Sequence, residues 1–134
     1  MSIKIKYQND NNQYEFTSFN EIKNYNNVVS IDCYDNQLTL LPELPNGLKI
    51  FNCSLNLLTK LPILPNSLEQ LSCEWNQLSE LPDLPNSLKT LFCGKNRLTS
   101  LPKLPNSLQY IRTGYNKLIK KKYKYLDNII YMYF

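Results

Sequence analysis

From Leu48 onward, one block of residues returns every twenty positions without insertion or loss. One turn reads Leu48-Lys49-Ile50-Phe51-Asn52-Cys53-Ser54-Leu55-Asn56-Leu57-Leu58, followed by Leu61-Pro62-Ile63-Leu64-Pro65-Asn66-Ser67. The frame recurs from Leu68, Leu88 and Leu108, and in a looser form from Val28. A block this short cannot bury its apolar face alone and must stack on its neighbours, so the chain is constrained to a solenoid.

The residue types within a block say how it stacks. Leu68, Leu71, Cys73 and Leu78 are the apolar positions of one turn, and the stretch from Leu68 to Cys73 has a strand period of two. Leu71 and Cys73 are therefore expected to point inward while Ser72 points out. Strands of successive blocks then pair in parallel about 4.8 Å apart, in a sheet about 20 Å wide. The other half of each block is Leu-Pro-x-Leu-Pro, with prolines at 42 and 45, 62 and 65, 82 and 85, and 102 and 105. Proline locks φ and lacks an N–H, which rules out a helix or a central strand and favours an extended polyproline-like run. The convex side is expected to be thin, with few helices.

Residues 1–27 lie outside the repeat and are expected to cover its open end. Ile3, Ile5 and Tyr7 alternate with lysines, then Tyr14 and Phe16 follow a polar stretch, which reads as a hairpin. Ser18 and Glu21 have capping-box spacing, which predicts a short helix from Phe19 to about Tyr25. Residues 28–118 form five repeats. Residues 119–134 are expected to close the other end, with Ile130 and Tyr133 inward on a final edge strand.

Net charge is +4, but residues 1–94 hold six lysines against ten carboxylates, whereas residues 95–134 hold nine lysines and arginines against Asp127 alone. A solenoid keeps sequence order in space, so one end is expected to be acidic and the other basic. No secretion signal is visible, and the longest apolar run, Ile129 to Phe134, is too short to span a bilayer. A cytoplasmic location is the default reading, which leaves export by another route open.

Histidine is absent, which removes the commonest general base and metal ligand together. Cys33, Cys53, Cys73 and Cys93 occupy the same inward position of four strands. A straight row with steps of about 4.8 Å cannot converge on one ion at about 2.3 Å, so these cysteines are read as core packing. Thr113 takes the fifth place in the row. Asn36, Asn56, Asn76, Asn96 and Asn116 form a second row, expected to bridge backbone groups of adjacent turns where the strands end. No metal, cofactor or catalytic residue is expected.

The positions expected on the concave face vary from block to block. They include Tyr34, Leu55, Trp75, Phe92, Lys95, Tyr110, Arg112 and Tyr115. Aromatic residues and arginine on one rigid face are types enriched at binding hot spots. These eight residues are the expected protein-binding set. Lys120-Lys121-Lys122-Tyr123-Lys124-Tyr125 could contact phosphates, but a lysine run in a loop reads first as solvated charge, and nucleic acid is not the expected partner.

The pattern Leu-x-x-Leu-x-Cys-x-x-Asn-x-Leu resembles the leucine-rich repeat signature. With Leu-Pro-x-Leu-Pro and the twenty-residue length, it is similar to the short bacterial subclass found in type III secreted effectors. The resemblance implies the α/β horseshoe class, with a parallel sheet on the concave face, and the binding of proteins there. Some such effectors carry a ubiquitin ligase domain after the repeats. Here about sixteen residues follow Leu118 and no cysteine lies beyond Cys93, so that activity is not implied. The abundance of Asn, Lys, Ile and Tyr resembles short repeat proteins of giant amoeba-infecting viruses and of AT-rich intracellular bacteria. The expectation is a non-enzymatic interaction module in a host cytoplasm, with a protein partner of acidic surface. The alternative is self-assembly, head-to-tail or through the final edge strand.

Overall fold

The computed structural model describes residues 1–118. The expected final strand with Ile130 and Tyr133, and the lysine run from Lys120, lie outside the described residues. Among the described residues, seven strands form one sheet in the order β2-β1-β3-β4-β5-β6-β7. They are β1 (Ile3–Tyr7), β2 (Tyr14–Phe16), β3 (Val28–Asp32), β4 (Ile50–Asn52), β5 (Gln70–Ser72), β6 (Thr90–Phe92) and β7 (Tyr110–Arg112).

β3 to β7 pair in parallel and in strict twenty-residue register: Ile31 lies beside Phe51, Phe51 beside Leu71, Leu71 beside Leu91 and Leu91 beside Ile111. Each repeat strand after β3 is only three residues long, and the chain bends four residues after the inward leucine or phenylalanine, at Leu55-Asn56 for example. Backbone pairing nevertheless continues past the strand, as in Cys53 N–H to the Ser72 carbonyl and Cys73 N–H to the Phe92 carbonyl, both at 2.8 Å. Residues of the proline segments form no helix or strand. Each ends in a tight turn in which the second proline's carbonyl accepts from the N–H three residues on, Pro65 from Leu68 at 3.0 Å for example.

The core is one column running through all turns. Leu48, Leu68, Leu88, Phe51, Leu71, Leu91, Cys53, Cys73, Cys93, Leu58, Leu78 and Leu98 lose essentially all contact with solvent, each large side chain contributing about 1.5–3 kcal/mol of burial. At the start of the column β1 pairs antiparallel with β3, Ile5 beside Ile31, and buries Ile3 and Ile5 over it. β1 in turn carries β2 as the outer strand. In place of one helix from Phe19 to Tyr25 there are two single 3-10 turns, Phe19–Glu21 and Tyr25–Asn27. Two local choices explain this. Ser18 caps Asn20 N–H, but Glu21 is drawn back to the backbone and hydroxyl of Thr17, one residue before the cap. Asn24 then takes a left-handed conformation, φ 51°, that stops any helix between the two turns.

Two polar ladders hold the turns to one another. Asn76 Nδ2 donates to the carbonyls of Cys53 at 2.9 Å and of Cys73 at 3.2 Å, while its Oδ1 accepts from Leu58 N–H at 3.0 Å. Asn56, Asn96 and Asn116 repeat the arrangement, and Asn36 extends it to the backbone of Ser2. On the proline side, the hydroxyls of Ser67, Ser87 and Ser107 donate to the carbonyls of Leu48, Leu68 and Leu88 in the preceding turn, at 2.6–2.7 Å. This serine ladder was not foreseen, since Asn-Ser after proline already reads as turn chemistry. The signal for it was the serine's own return every twenty residues.

Candidate protein-interaction face

The variable face is built on a backbone device repeated in every turn. Two residues after each column-six position (Cys33, Cys53, Cys73, Cys93, Thr113) the chain enters the left-handed region, at Asp35, Leu55, Trp75, Lys95 and Tyr115 with φ of 54–59°. For non-glycine residues this conformation costs roughly 1–2 kcal/mol. The Asn ladder that follows immediately, with its buried hydrogen bonds, holds the backbone there. The result is a single file of five side chains, one per turn, at the edge of the sheet's open side.

Three of the five stack. The Lys95 ammonium lies 3.3 Å from the Tyr115 ring centre and 4.7 Å from that of Trp75, a cation held between two aromatic faces. One step inward along the strands, the Arg112 guanidinium lies 4.8 Å from the Phe92 ring centre and 3.4 Å from Glu74 Oε2. Trp75, Lys95, Arg112, Tyr115, Glu74, Gly94 and Gly114 line an open cleft of about 360 Å³. The glycines are its floor. A Cβ on Gly94 would come within 3.0 Å of both the Gly114 carbonyl and Glu74 Oε1, so a larger residue there would press on both and make the cleft shallower.

Of the eight residues expected on this face, Trp75, Lys95, Arg112 and Tyr115 meet in the cleft, and Phe92 supports Arg112. Tyr34 and Leu55 line a second depression that shares Trp75. Tyr110 is exposed at the opposite end of its strand, beside Thr90, and belongs to neither.

The cysteine row takes no part in this chemistry. Cys33, Cys53, Cys73 and Cys93 are free thiols with no exposed surface. Burial, with the Asp32 charge nearby, pushes the Cys33 thiol up to about 12. Burial, with the Glu74 charge, does the same to Cys93. Cys53 and Cys73 are raised well above the ordinary thiol value, burial again being the main cause. Among the described residues no cluster of His, Cys, Asp and Glu is gathered to hold a metal ion.

Among solved structures, the chain is similar to the leucine-rich repeat domain of a Shigella effector, with 40% identity and a TM-score of 0.68 over 70% of this chain and 43% of that one. The chain is a leucine-rich repeat protein. It is also similar to YopM from Yersinia enterocolitica, with 38% identity and a TM-score of 0.60 over 63% of this chain. It spans 43% of the length of the Shigella chain and 21% of that of YopM. No protein-family model matches it, and no curated protein does.

Two features of this leucine-rich repeat face were missed in the sequence. Glu74 reads as ordinary surface charge, yet it reaches Arg112 two turns away. Gly94 reads as a small neighbour of Lys95, yet it sets the depth of the cleft. Writing the blocks as aligned columns places Glu74 and Arg112 on one diagonal, which was the available signal. Glu69 likewise pairs with Lys89 one turn on, outside the cleft.

Proposed function

We propose that this chain is a non-enzymatic protein-interaction module whose partner docks on the open face of the repeat sheet, centred on Trp75, Lys95, Arg112 and Tyr115. The observation that carries the reading is the Lys95 ammonium held between Trp75 and Tyr115, with Trp75 53% and Tyr115 74% exposed. Large aromatic side chains at left-handed positions contribute little to the core, and a fold seeking stability alone would place glycine or asparagine there. Rigid aromatic anchors beside arginine are the side chains from which interface hot spots are built. The likeness to bacterial effector repeat domains supports the same reading, and with it a location inside a host cell. No helix of the described residues is long and apolar enough to cross a membrane.

Lys95, Arg112 and Lys117 place positive charge at the later turns, which favours a partner with an acidic surface through steering. Head-to-tail self-assembly draws no support from charge. Residues 1–27 carry three lysines and three carboxylates, so the acidic surplus lies in the middle of the solenoid and not at its start.

The test is affinity capture from host-cell extract with three proteins: the native chain, a Trp75→Ala/Arg112→Ala variant, and an Ile63→Ser control on the proline side, where Ile63 is 89% exposed. A specific partner retained by the native chain and the control but lost from the face variant is the expected result. Equal capture by all three refutes the open-face reading.

A further inference from the structure

We infer that the cleft between Trp75 and Tyr115 is an anchor for one carboxylate side chain on an extended segment of the partner; this rests on the interaction reading above and specifies its chemistry.

The charge count sets the valence of the occupant. Two cations, Lys95 and Arg112, and one carboxylate, Glu74, line the cleft. The surplus is a single positive charge, which one carboxylate matches and a phosphate dianion overfills. Neither cation is tightly bound to a carboxylate. Lys95 belongs to neither of the two ion pairs found among the described residues. Arg112 sits 3.4 Å from Glu74, well beyond the 2.7–2.9 Å of a tight charged hydrogen bond, so its fork is only partly committed.

Shape agrees with charge. The glycine floor and aromatic walls make a cleft of about 360 Å³, at the small end of ligand-sized clefts and with room for one side chain of a partner. The ring faces that hold the Lys95 ammonium from both sides also offer apolar surface to residues flanking the carboxylate. Trp75 and Glu74 line the neighbouring depression with Tyr34 and Leu55 as well, so the two hollows adjoin across shared side chains. That adjacency favours a segment passing across the strands over a chain end that fills one hollow.

Trp75 is the single tryptophan of the chain, so its fluorescence reports occupancy directly. The probe is an acetylated, amidated five-residue peptide with a central glutamate between leucines. It is compared with the same peptide carrying glutamine, phosphoserine, or no acidic side chain but a free C-terminal carboxylate. The glutamate peptide is expected to bind roughly tenfold or more tightly than its glutamine counterpart. Lys95→Met should remove that preference, Lys95→Arg should keep it, and Lys103→Met, on the proline side, should leave it unchanged. Arg112→Gln is a second cleft variant should Lys95→Met fail to fold. Equal responses to glutamate and glutamine, or none into the millimolar range, overturn the proposal. Tighter binding of phosphoserine overturns the charge count, and tighter binding of the free chain end overturns the internal segment. Should the open face capture a partner while the glutamate peptide stays silent, this inference falls and the interaction reading stands.

Discussion

Two columns of this solenoid stand two residues apart in every turn and obey opposite rules. Column six reads Cys33, Cys53, Cys73, Cys93, Thr113, and every member is buried. Column eight reads Asp35, Leu55, Trp75, Lys95, Tyr115: five side chains of five kinds on one backbone conformation. In the first the neighbours above and below decide the side chain, because close packing leaves no volume to spare. In the second the asparagine ladder holds the backbone while the side chain lies outside the packed column, where neighbours can touch without filling a fixed volume. The fold therefore restricts column six in its side chains and column eight only in its φ and ψ. Diversity at fixed geometry is what a recognition surface requires.

The sharpest way to break this contrast is to place the same residue in both columns. Cys73→Glu is expected to lower stability by more than about 4 kcal/mol, since it buries a charge with no partner, whereas Trp75→Glu should cost less than about 1 kcal/mol. Chemical denaturation of both variants decides it, and equal losses would mean the columns do not differ as described. Thiol chemistry probes column six without mutation. With Cys33 and Cys93 pushed up to about 12 and Cys53 and Cys73 raised further than an exposed thiol, the reactive thiolate is scarce near pH 8. Alkylation of the native protein should run roughly a thousandfold slower than in denaturant. Rapid labelling of any of the four would place it outside the core.

Asn76→Ala tests what separates the two columns. It removes the acceptor of Leu58 N–H and the donor to Cys53 and Cys73, and should cost about 1–3 kcal/mol. An unchanged thermal midpoint would show that the ladder is not needed. The smallest effect has the opposite sign. Thr113 Oγ1 is buried with no hydrogen-bond partner, so Thr113→Val, nearly equal in volume, should raise stability by about 1 kcal/mol. A loss on denaturant titration would mean that the hydroxyl is satisfied in solution.

Much of the architecture is legible in one dimension because a solenoid maps sequence spacing directly onto space. Residues twenty apart are neighbours, so Leu71 announces Leu91, and Cys73 announces a row and not a cluster. The irregular start is less legible. Ser18 and Glu21 had helical spacing, but Thr17 captured Glu21 and Asn24 turned left-handed, local competitions whose winners depend on atomic positions.

The candidate face divides the same way. That Trp75, Lys95 and Tyr115 share a column followed from counting. That the ammonium settles between the two rings, that Arg112 leans on Phe92 and reaches Glu74, and that a Cβ on Gly94 would crowd the Gly114 carbonyl did not. Periodicity by itself determined the stack, its parallel sheet and its dry interior, because burial rewards apolar residues at every turn alike. Only the folded chain decided which exposed side chains meet, because such contacts depend on side-chain rotamers and on distances across turns, which sequence spacing does not encode.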